Sequence, residues 1–145
     1  MYALGTMTTE TVAAFERLRR DGKIARWGVS NFDASDLDEL WALPEGRHCA
    51  TNQVLYHLGE RGIEWALLPW MRARGVPLMA YSPLGQGALL RQKPLVAIAS
   101  RIGATPAQVA LAWLLRQNDI IVIPKAADPA HVTANLEACK LTLDA

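Results

Sequence analysis

Leu78-Met79-Ala80-Tyr81-Ser82-Pro83-Leu84-Gly85-Gln86-Gly87 runs from a short apolar segment into a loop of small residues. The pattern predicts a buried strand that stops at Tyr81, followed by a turn in which Pro83 and two glycines keep the backbone exposed. An aromatic face, a hydroxyl and accessible N–H groups therefore sit at the C-terminal end of a strand, where parallel α/β sheets and barrels bind ligands. Gly75-Val76-Pro77 leads into this strand from a helix expected over Ile63 to Arg74. Leu67, Leu68 and Met71 form the inner side of that helix, and Trp65 and Trp70 are expected to pack.

Towards the N-terminus, Ala50 to Leu55 reads as another strand, with Asn52-Gln53 in an apolar surround and Tyr56-His57 after it. An amide at Gln53 needs partners for up to about four hydrogen bonds, so it either ties the fold internally or recognises another amide. Ile24 to Val29 is a third β-prone run that delivers Ser30-Asn31 to a strand end, and a helix capped by Asp33 or Ser35 follows, with Leu37, Leu40 and Trp41 as its apolar stripe. Thr9 to Arg20 is expected to be helical, capped by Thr9, with Val12, Phe15 and Leu18 on one face and Asp21-Gly22 as its stop. Arg17, Arg19 and Arg20 fall in its last turn, where cations suit the helix dipole; a phosphate-binding cluster is the weaker reading. Met1-Tyr2-Ala3-Leu4-Gly5-Thr6 is a weakly patterned lead-in.

Towards the C-terminus, a helical segment is expected near Val96 to Arg101, and Thr105-Pro106-Ala107-Gln108 is a capping box with proline at the first helical position. Its helix runs to about Arg116 with Val109 and Trp113 inward. Asp119 to Ile123 is almost wholly aliphatic, as expected of a strand covered on both faces, and ends at Pro124-Lys125. Asp128-Pro129 opens the last helix, which carries His131 and Asn135. One helix followed by four strand–helix units is an α/β pattern with parallel strands. A complete (β/α)8 TIM barrel takes about 250 residues, so 145 residues correspond to about half of one, read as a single domain over 1–145.

A formal net charge of +1, with scattered Lys and Arg, gives no footprint for nucleic acid or a membrane surface. Cys49 and Cys139 form no CxxC and no Cys/His ligand spacing, which points to the cytoplasm and away from a structural zinc site. No apolar run approaches the roughly 18 residues of a membrane span. His48, His57 and His131 have no metal-ligand spacing, and each has an ordinary surface or capping explanation. Gly85-Gln86-Gly87 lacks the third glycine of a dinucleotide fingerprint, no P-loop lysine occurs, and no GxSxG elbow supports Ser82 as a nucleophile. Lys125, at the end of an aliphatic strand, is better placed for anion binding than for a plain surface role.

Taken together, Gly28-Val29-Ser30-Asn31-Phe32, Asn52-Gln53-Val54-Leu55-Tyr56-His57, Ala80-Tyr81-Ser82-Pro83-Leu84-Gly85 and Ile123-Pro124-Lys125 resemble, in order, strands five to eight of the aldo-keto reductase family. The resemblance extends from Thr9 onward. It implies a nicotinamide dinucleotide cofactor, with Ser30, Asn31 and Gln53 on the carboxamide and Tyr81 stacked on the nicotinamide ring. It implies Ser82, Leu84, Gly85 and Gln86 along the pyrophosphate, Lys125 at the adenosine 2′-phosphate and Asn135 at the adenine. Lys125 favours NADP, while NAD remains possible because three positions depart from the family. Ala126 stands for a common serine, Ala134 for a frequent glutamate near the adenine, and His131 for the arginine that grips the phosphate.

The family's catalytic Tyr, Lys, Asp and His belong to strands two to four, and none of those motifs occurs in these 145 residues. Tyr56 and His57 match the strand-six motif instead, so no catalytic residue is assigned and no metal is implied. The expected function is the cofactor-binding half of an NADPH-dependent aldehyde or ketone reductase, inactive alone as a truncated or fragmentary chain. Carbonyl substrate would engage only in a completed barrel. A half-barrel closing by self-association or with a partner, and a non-catalytic NADPH-binding regulatory module, are the alternatives.

Overall fold

The computed structural model describes residues 8–144; the lead-in at Met1 to Thr6 lies outside them. Its elements are α1 (Thr9–Arg20), β1 (Val29–Ser30), α2 (Ala34–Ala42), β2 (Asn52–Leu55), α3 (Leu67–Ala73), β3 (Leu78–Tyr81), α4 (Lys93–Arg101), α5 (Pro106–Leu115), β4 (Ile120–Val122) and α6 (Pro129–Glu137). The strands form one sheet in the order β1-β2-β3-β4, and each is followed by helix, as parallel strands require. The expected α/β class with four βα units is therefore observed. The chain divides into two compact units. One holds the chain up to Val54 together with Ile63–Leu78, the other Leu55–Gly62 together with the chain from Met79 on.

In the first unit, Thr8 caps α1 by accepting from the Thr11 N–H, one residue earlier than expected. The face expected from Val12, Phe15 and Leu18 has a polar member: Val12 and Glu16 are the buried residues of α1. Glu16 accepts hydrogen bonds from Trp27 Nε1 at 2.6 Å and from Arg19 Nη2 at 2.6 Å, and Phe15 stacks on the Trp27 indole at 5.6 Å. This anchor corrects the first strand. Ile24 to Arg26 carry the chain down to Trp27 as a loop; Trp27 O accepts from Ala50 N–H at 2.9 Å, and β1 itself begins at Val29, whose N–H donates to Thr51 O at 3.0 Å. Gly28 permits that approach, because a Cβ there would lie 2.6 Å from Thr51 O. Residues 50 and 51 likewise fall outside β2.

Asp33 caps α2 in a reciprocal box with Asp36, and the Asp36 N–H holds the Asp33 carboxyl below its ordinary range. Leu37 and Leu40 are buried, whereas Trp41 is half-buried and meets Trp70 edge-on at 5.0 Å. The single helix expected over Ile63 to Arg74 is broken: a 3-10 turn spans Gly62–Glu64 and α3 starts only at Leu67. Pro69 explains the break, since its ring would clash with the carbonyl four residues back, at Trp65. Trp65 is consequently 91% exposed and does not pack, while Leu67, Leu68 and Met71 are buried as expected.

The second unit is built on α5, whose Thr105 capping box forms as read, and whose Val109, Ala110, Leu111, Ala112 and Leu114 are all buried. A helix apolar on nearly every side must be enclosed, and Leu89, Leu95 and Ala99 close over it. Trp113 is half-buried, stacked obliquely against the buried Tyr56 at 5.5 Å. α4 begins at Lys93, with Pro94 tolerated in its first turn rather than excluding the helix there. β4 is shorter than expected and is not covered on both faces. It is an edge strand joined to β3 through Ile123 N–H to Ala80 O at 3.3 Å, and Ile121 remains 42% exposed.

Candidate functional site

Within the first unit, β1 and β2 pair in parallel with Ser30 opposite Gln53. The Ser30 hydroxyl and the Asn31 N–H both donate to Gln53 O, each at 2.9 Å. Asn31 has φ 58°, a left-handed conformation that asparagine tolerates better than most residues, and it turns the chain at the strand end. Ser30, Asn31 and Gln53 are thus brought together, with Ser30 and Asn31 exposed and Gln53 half-buried.

Asn52 performs the internal tie that Gln53 was one candidate for. Its buried side chain donates from Nδ2 to Phe32 O at 2.8 Å and accepts from Phe32 N–H at 3.4 Å. Side chains alternate along a strand, so Gln53 faces away from Asn52. The signal in the sequence was period two, which groups Asn52 with Val54 on the buried side. Asn52→Ala strands both backbone groups of Phe32 and is expected to lower the unfolding free energy by about 1–3 kcal/mol, measurable as a reduced urea midpoint.

Within the second unit, Tyr81 ends β3 half-buried, and the chain then turns through Ser82 (φ 48°), Gly85 (φ 54°), Gln86 (φ 51°) and Gly87 (φ 85°). The turn is held by Gly85 N–H to Ser82 O at 2.9 Å and Gly87 N–H to Leu84 O at 3.0 Å. Leu84 at φ −103° followed by left-handed Gly85 is the right-to-left alternation that gathers N–H groups into an anion-binding concavity. A Cβ on Gly85 would sit 3.1 Å from Leu89 Cβ and 3.4 Å from the His57 ring. His57 itself accepts from Gly59 N–H at 3.1 Å, the capping role its sequence position suggested.

A cavity of about 300 Å³ opens among Leu84, Leu90, Thr105, Pro106, Ala107, Lys125, Ala126, His131, Ala134 and Asn135. Leu84, Lys125, His131 and Asn135 are therefore brought to one place, whereas Tyr81, Ser82, Gly85 and Gln86 do not line it. His131 and Asn135 lie one helical turn apart on α6 and share a face. Asp128 caps that helix, accepting from Ala130 N–H at 2.8 Å. The Thr105–Ala107 wall was missed because a capping box explains those residues fully without a ligand. Lys125, His131 and Asn135 have no side-chain hydrogen bond or ion pair among the described residues. An apolar slot edged by an amide and two cation-forming groups suits a flat heterocycle carrying an anion.

Elsewhere, Glu16, Glu45 and His48 bring donor atoms within 4.8 Å of one another. Arginine already supplies the cation there: Arg19 pairs with Glu16 at 2.6 Å and Arg20 with Glu45 at 3.0 Å. These contacts give Arg19 and Arg20 the structural role read from the sequence. Cys49 is buried, which pushes its thiol pKa up, and Cys139 is exposed; both are free. Among the described residues no single helix is long and apolar enough to cross a membrane.

The chain is 52% identical over 141 residues to methylglyoxal reductase YeaE of Escherichia coli, covering 92% of this chain and 49% of that protein. It is 37% identical over 128 residues to glyoxal reductase of Bacillus subtilis, covering 88% of this chain and 45% of that one. A crystal structure of an aldo/keto reductase from Klebsiella pneumoniae in complex with NADP and acetate superposes with a TM-score of 0.91 at 47% identity, over 94% of this chain and 50% of that chain. The chain thus spans about half the length of the curated relatives it matches, and its α/β architecture is that of a partial (β/α)8 barrel. The family model for aldo/keto reductases matches residues 5–145, and with the strand-end residues and the cavity described above, the chain belongs to that family.

Proposed function

We propose that this chain, over residues 1–145, is the NADP-binding, C-terminal half of an aldo/keto reductase domain, which would act on small aldehydes or ketones only as a completed barrel. One observation carries the reading: Lys125, His131 and Asn135, without partners of their own among the described residues, converge on one largely apolar cavity. The residues fit the cofactor. Asn135 would meet the adenine, and Lys125 with His131 the 2′-phosphate. The left-handed turn at Ser82, Leu84, Gly85 and Gln86 would follow the pyrophosphate. Tyr81 would stack on the nicotinamide, with Ser30, Asn31 and Gln53 on its carboxamide.

When bound, the cofactor supplies hydride for carbonyl reduction. NAD is the weaker ligand in this reading, lacking the phosphate. The reductases of Escherichia coli and Bacillus subtilis support a 2-oxoaldehyde or similar small dicarbonyl as the substrate class, and they do not favour a purely regulatory binding module. The general acid is not assigned to any of the 145 residues. A completed barrel would supply it, through residues outside these 145 or a partner of different sequence; a second copy of this chain could close the barrel but would bring no general acid. Free thiols and unremarkable charge support a cytoplasmic setting without nucleic acid or membrane.

Calorimetric titration of the 145-residue chain with NADP⁺ is expected to give saturable one-to-one binding. NADPH with methylglyoxal is expected to give no turnover by this chain alone. Absence of saturable binding overturns the cofactor assignment, and saturable turnover overturns the placement of the acid outside these residues.

A further inference from the structure

We infer that His57 is a positioning residue for the dinucleotide: its imidazole backs Gly85 and thereby sets the turn after β3 whose N–H groups would meet the pyrophosphate. This deepens the cofactor reading above, on which it rests, and adds a residue that belongs to neither the turn nor the cavity. His57, the loop that follows it and the turn all lie in the second unit.

The ring is held from one side by its own loop. His57 N–H donates to Glu60 O at 3.3 Å and Glu60 N–H to His57 O at 2.9 Å, closing a tight loop over Leu58 and Gly59. Within it, Gly59 N–H donates to Nδ1 of the ring at 3.1 Å. A ring that accepts at Nδ1 cannot turn over without losing that bond, so the direction of its other edge is fixed. A Cβ on Gly59 would lie 3.4 Å from both Cε1 and Nδ1, which shows how closely the loop packs on the imidazole.

The other edge meets the turn. Cε1 and Nε2 each lie 3.4 Å from the place a Cβ on Gly85 would take, and Leu89 Cβ lies 3.1 Å from the same place. The half-buried imidazole and the buried Leu89 therefore occupy the side of Gly85 that a larger residue would need. Gly85 at φ 54° is followed by Gln86 at φ 51°, and a left-handed glutamine is not held by local preference. Support from outside the turn is required, and His57 and Leu89 are placed to give it. The turn's own hydrogen bonds use the N–H groups of Gly85, Gly87 and Ala88, with Ser82, Leu84 and Gly85 as acceptors. The N–H groups of Leu84 and Gln86 enter none of these bonds and are the ones left for a ligand oxygen. Gly85 stands between them, so the residue that His57 touches sets the direction of both.

Calorimetric Kd values for NADP⁺, NAD⁺ and adenosine 2′-monophosphate test the inference, since the last has the adenine and the 2′-phosphate but no pyrophosphate. His57→Asn keeps an acceptor for Gly59 N–H and is too short to reach Gly85. It is expected to weaken both dinucleotides by about tenfold, the worth of one hydrogen bond to a charged group, and to leave the monophosphate unchanged. His57→Phe keeps a ring behind Gly85 and gives up only the Nδ1 bond, so its expected loss for the dinucleotides is about threefold. Unchanged dinucleotide affinity in His57→Asn, or a loss in His57→Phe as large as in His57→Asn, overturns the role of the ring and leaves the cofactor reading standing. An equal loss of all three ligands marks a residue of the fold at large and overturns it too. Failure of NADP⁺ to bind the unsubstituted chain overturns the cofactor reading and this inference with it.

Discussion

On the proposed cofactor reading, Lys125→Glu is expected to lower the affinity for NADP⁺ by about a hundredfold and to change the affinity for NAD⁺ by less than about threefold. The selectivity follows from position. Lys125 follows β4, is exposed, and lines the cavity together with His131 and Asn135 of α6, with no ion-pair partner among the described residues. Its ammonium is thus available to the ligand at no cost to an internal contact. A charge-assisted hydrogen bond to a phosphate is worth roughly 1.5–3 kcal/mol, and reversing the charge adds repulsion to the loss. Lys125→Met removes the attraction alone and is expected to cost about tenfold. Because the side chain is exposed, the thermal midpoint of the free protein should be unchanged in both variants. An equal loss for NADP⁺ and NAD⁺ would mean that Lys125 meets some part of the cofactor other than the phosphate. No loss for either would place the phosphate elsewhere.

The features that could be read directly from the sequence are those whose cause is local. The Thr105 capping box needs only residues three apart, and it forms with Gln108 N–H donating to Thr105 Oγ1 at 3.2 Å. The strand at Leu78–Tyr81 is bounded by Gly75-Val76-Pro77 and the Ser-Pro turn, and its limits are as read. His131 and Asn135 share a face by helical periodicity alone. Where the cause is tertiary or steric, the sequence reading fails in a definite direction. The largely apolar stretch from Ile63 to Met71 looks like one helix, but Pro69 acts on the carbonyl of a residue that hydrophobic periodicity alone would have kept helical. The aliphatic run at β4 looks doubly covered, yet Ile121 is 42% exposed and Ile120 and Val122 are only half-buried. Gln53 drew attention because it follows an asparagine into an apolar run, while the pleat puts Asn52, not Gln53, against the interior. The convergence of Lys125 with His131 depends on how the segment between β4 and α6 folds, which hydrophobic periodicity does not report. Glu16 was missed for the same reason: its partners Trp27 and His48 are remote in sequence, and a glutamate followed by Arg17, Arg19 and Arg20 reads as solvent-facing.

Glu16→Ala is expected to destabilise the chain by roughly 3 kcal/mol, and Glu16→Gln by about 2 kcal/mol, through loss of the buried carboxylate that joins α1 to the start of β1. Glu16 is fully buried and accepts from Trp27 Nε1 at 2.6 Å, from Arg19 Nε at 2.9 Å and Nη2 at 2.6 Å, with His48 Nδ1 at 3.1 Å. Removing it leaves the Trp27 N–H without an acceptor and the Arg19 guanidinium without its counter-charge. Arg19 is 38% exposed, so water takes up part of that charge and holds the expected cost at the low end for a broken buried pair. The same geometry fixes an acid dependence. The Arg19 hydrogen bond, aided by Trp27 and His48 and opposed by burial, lowers the Glu16 pKa from an ordinary 4.5 to about 2. A carboxyl more acidic in the folded chain than in the unfolded one stabilises the fold at every pH above its unfolded value. That contribution is lost as pH falls through the folded one. Urea unfolding of the unsubstituted chain and of Glu16→Gln should therefore differ by a constant amount above about pH 5, and the difference should shrink between pH 4.5 and about 2. A difference that persists undiminished at the acid end would show that Glu16 contributes by packing rather than by charge. Because Trp27 stands two residues before Val29, loosening this anchor is also expected to free the β1 end that carries Ser30 and Asn31. Amide exchange at Val29 and Asn31 should then quicken in Glu16→Gln well before global unfolding, whereas exchange in α5, in the other unit, should not.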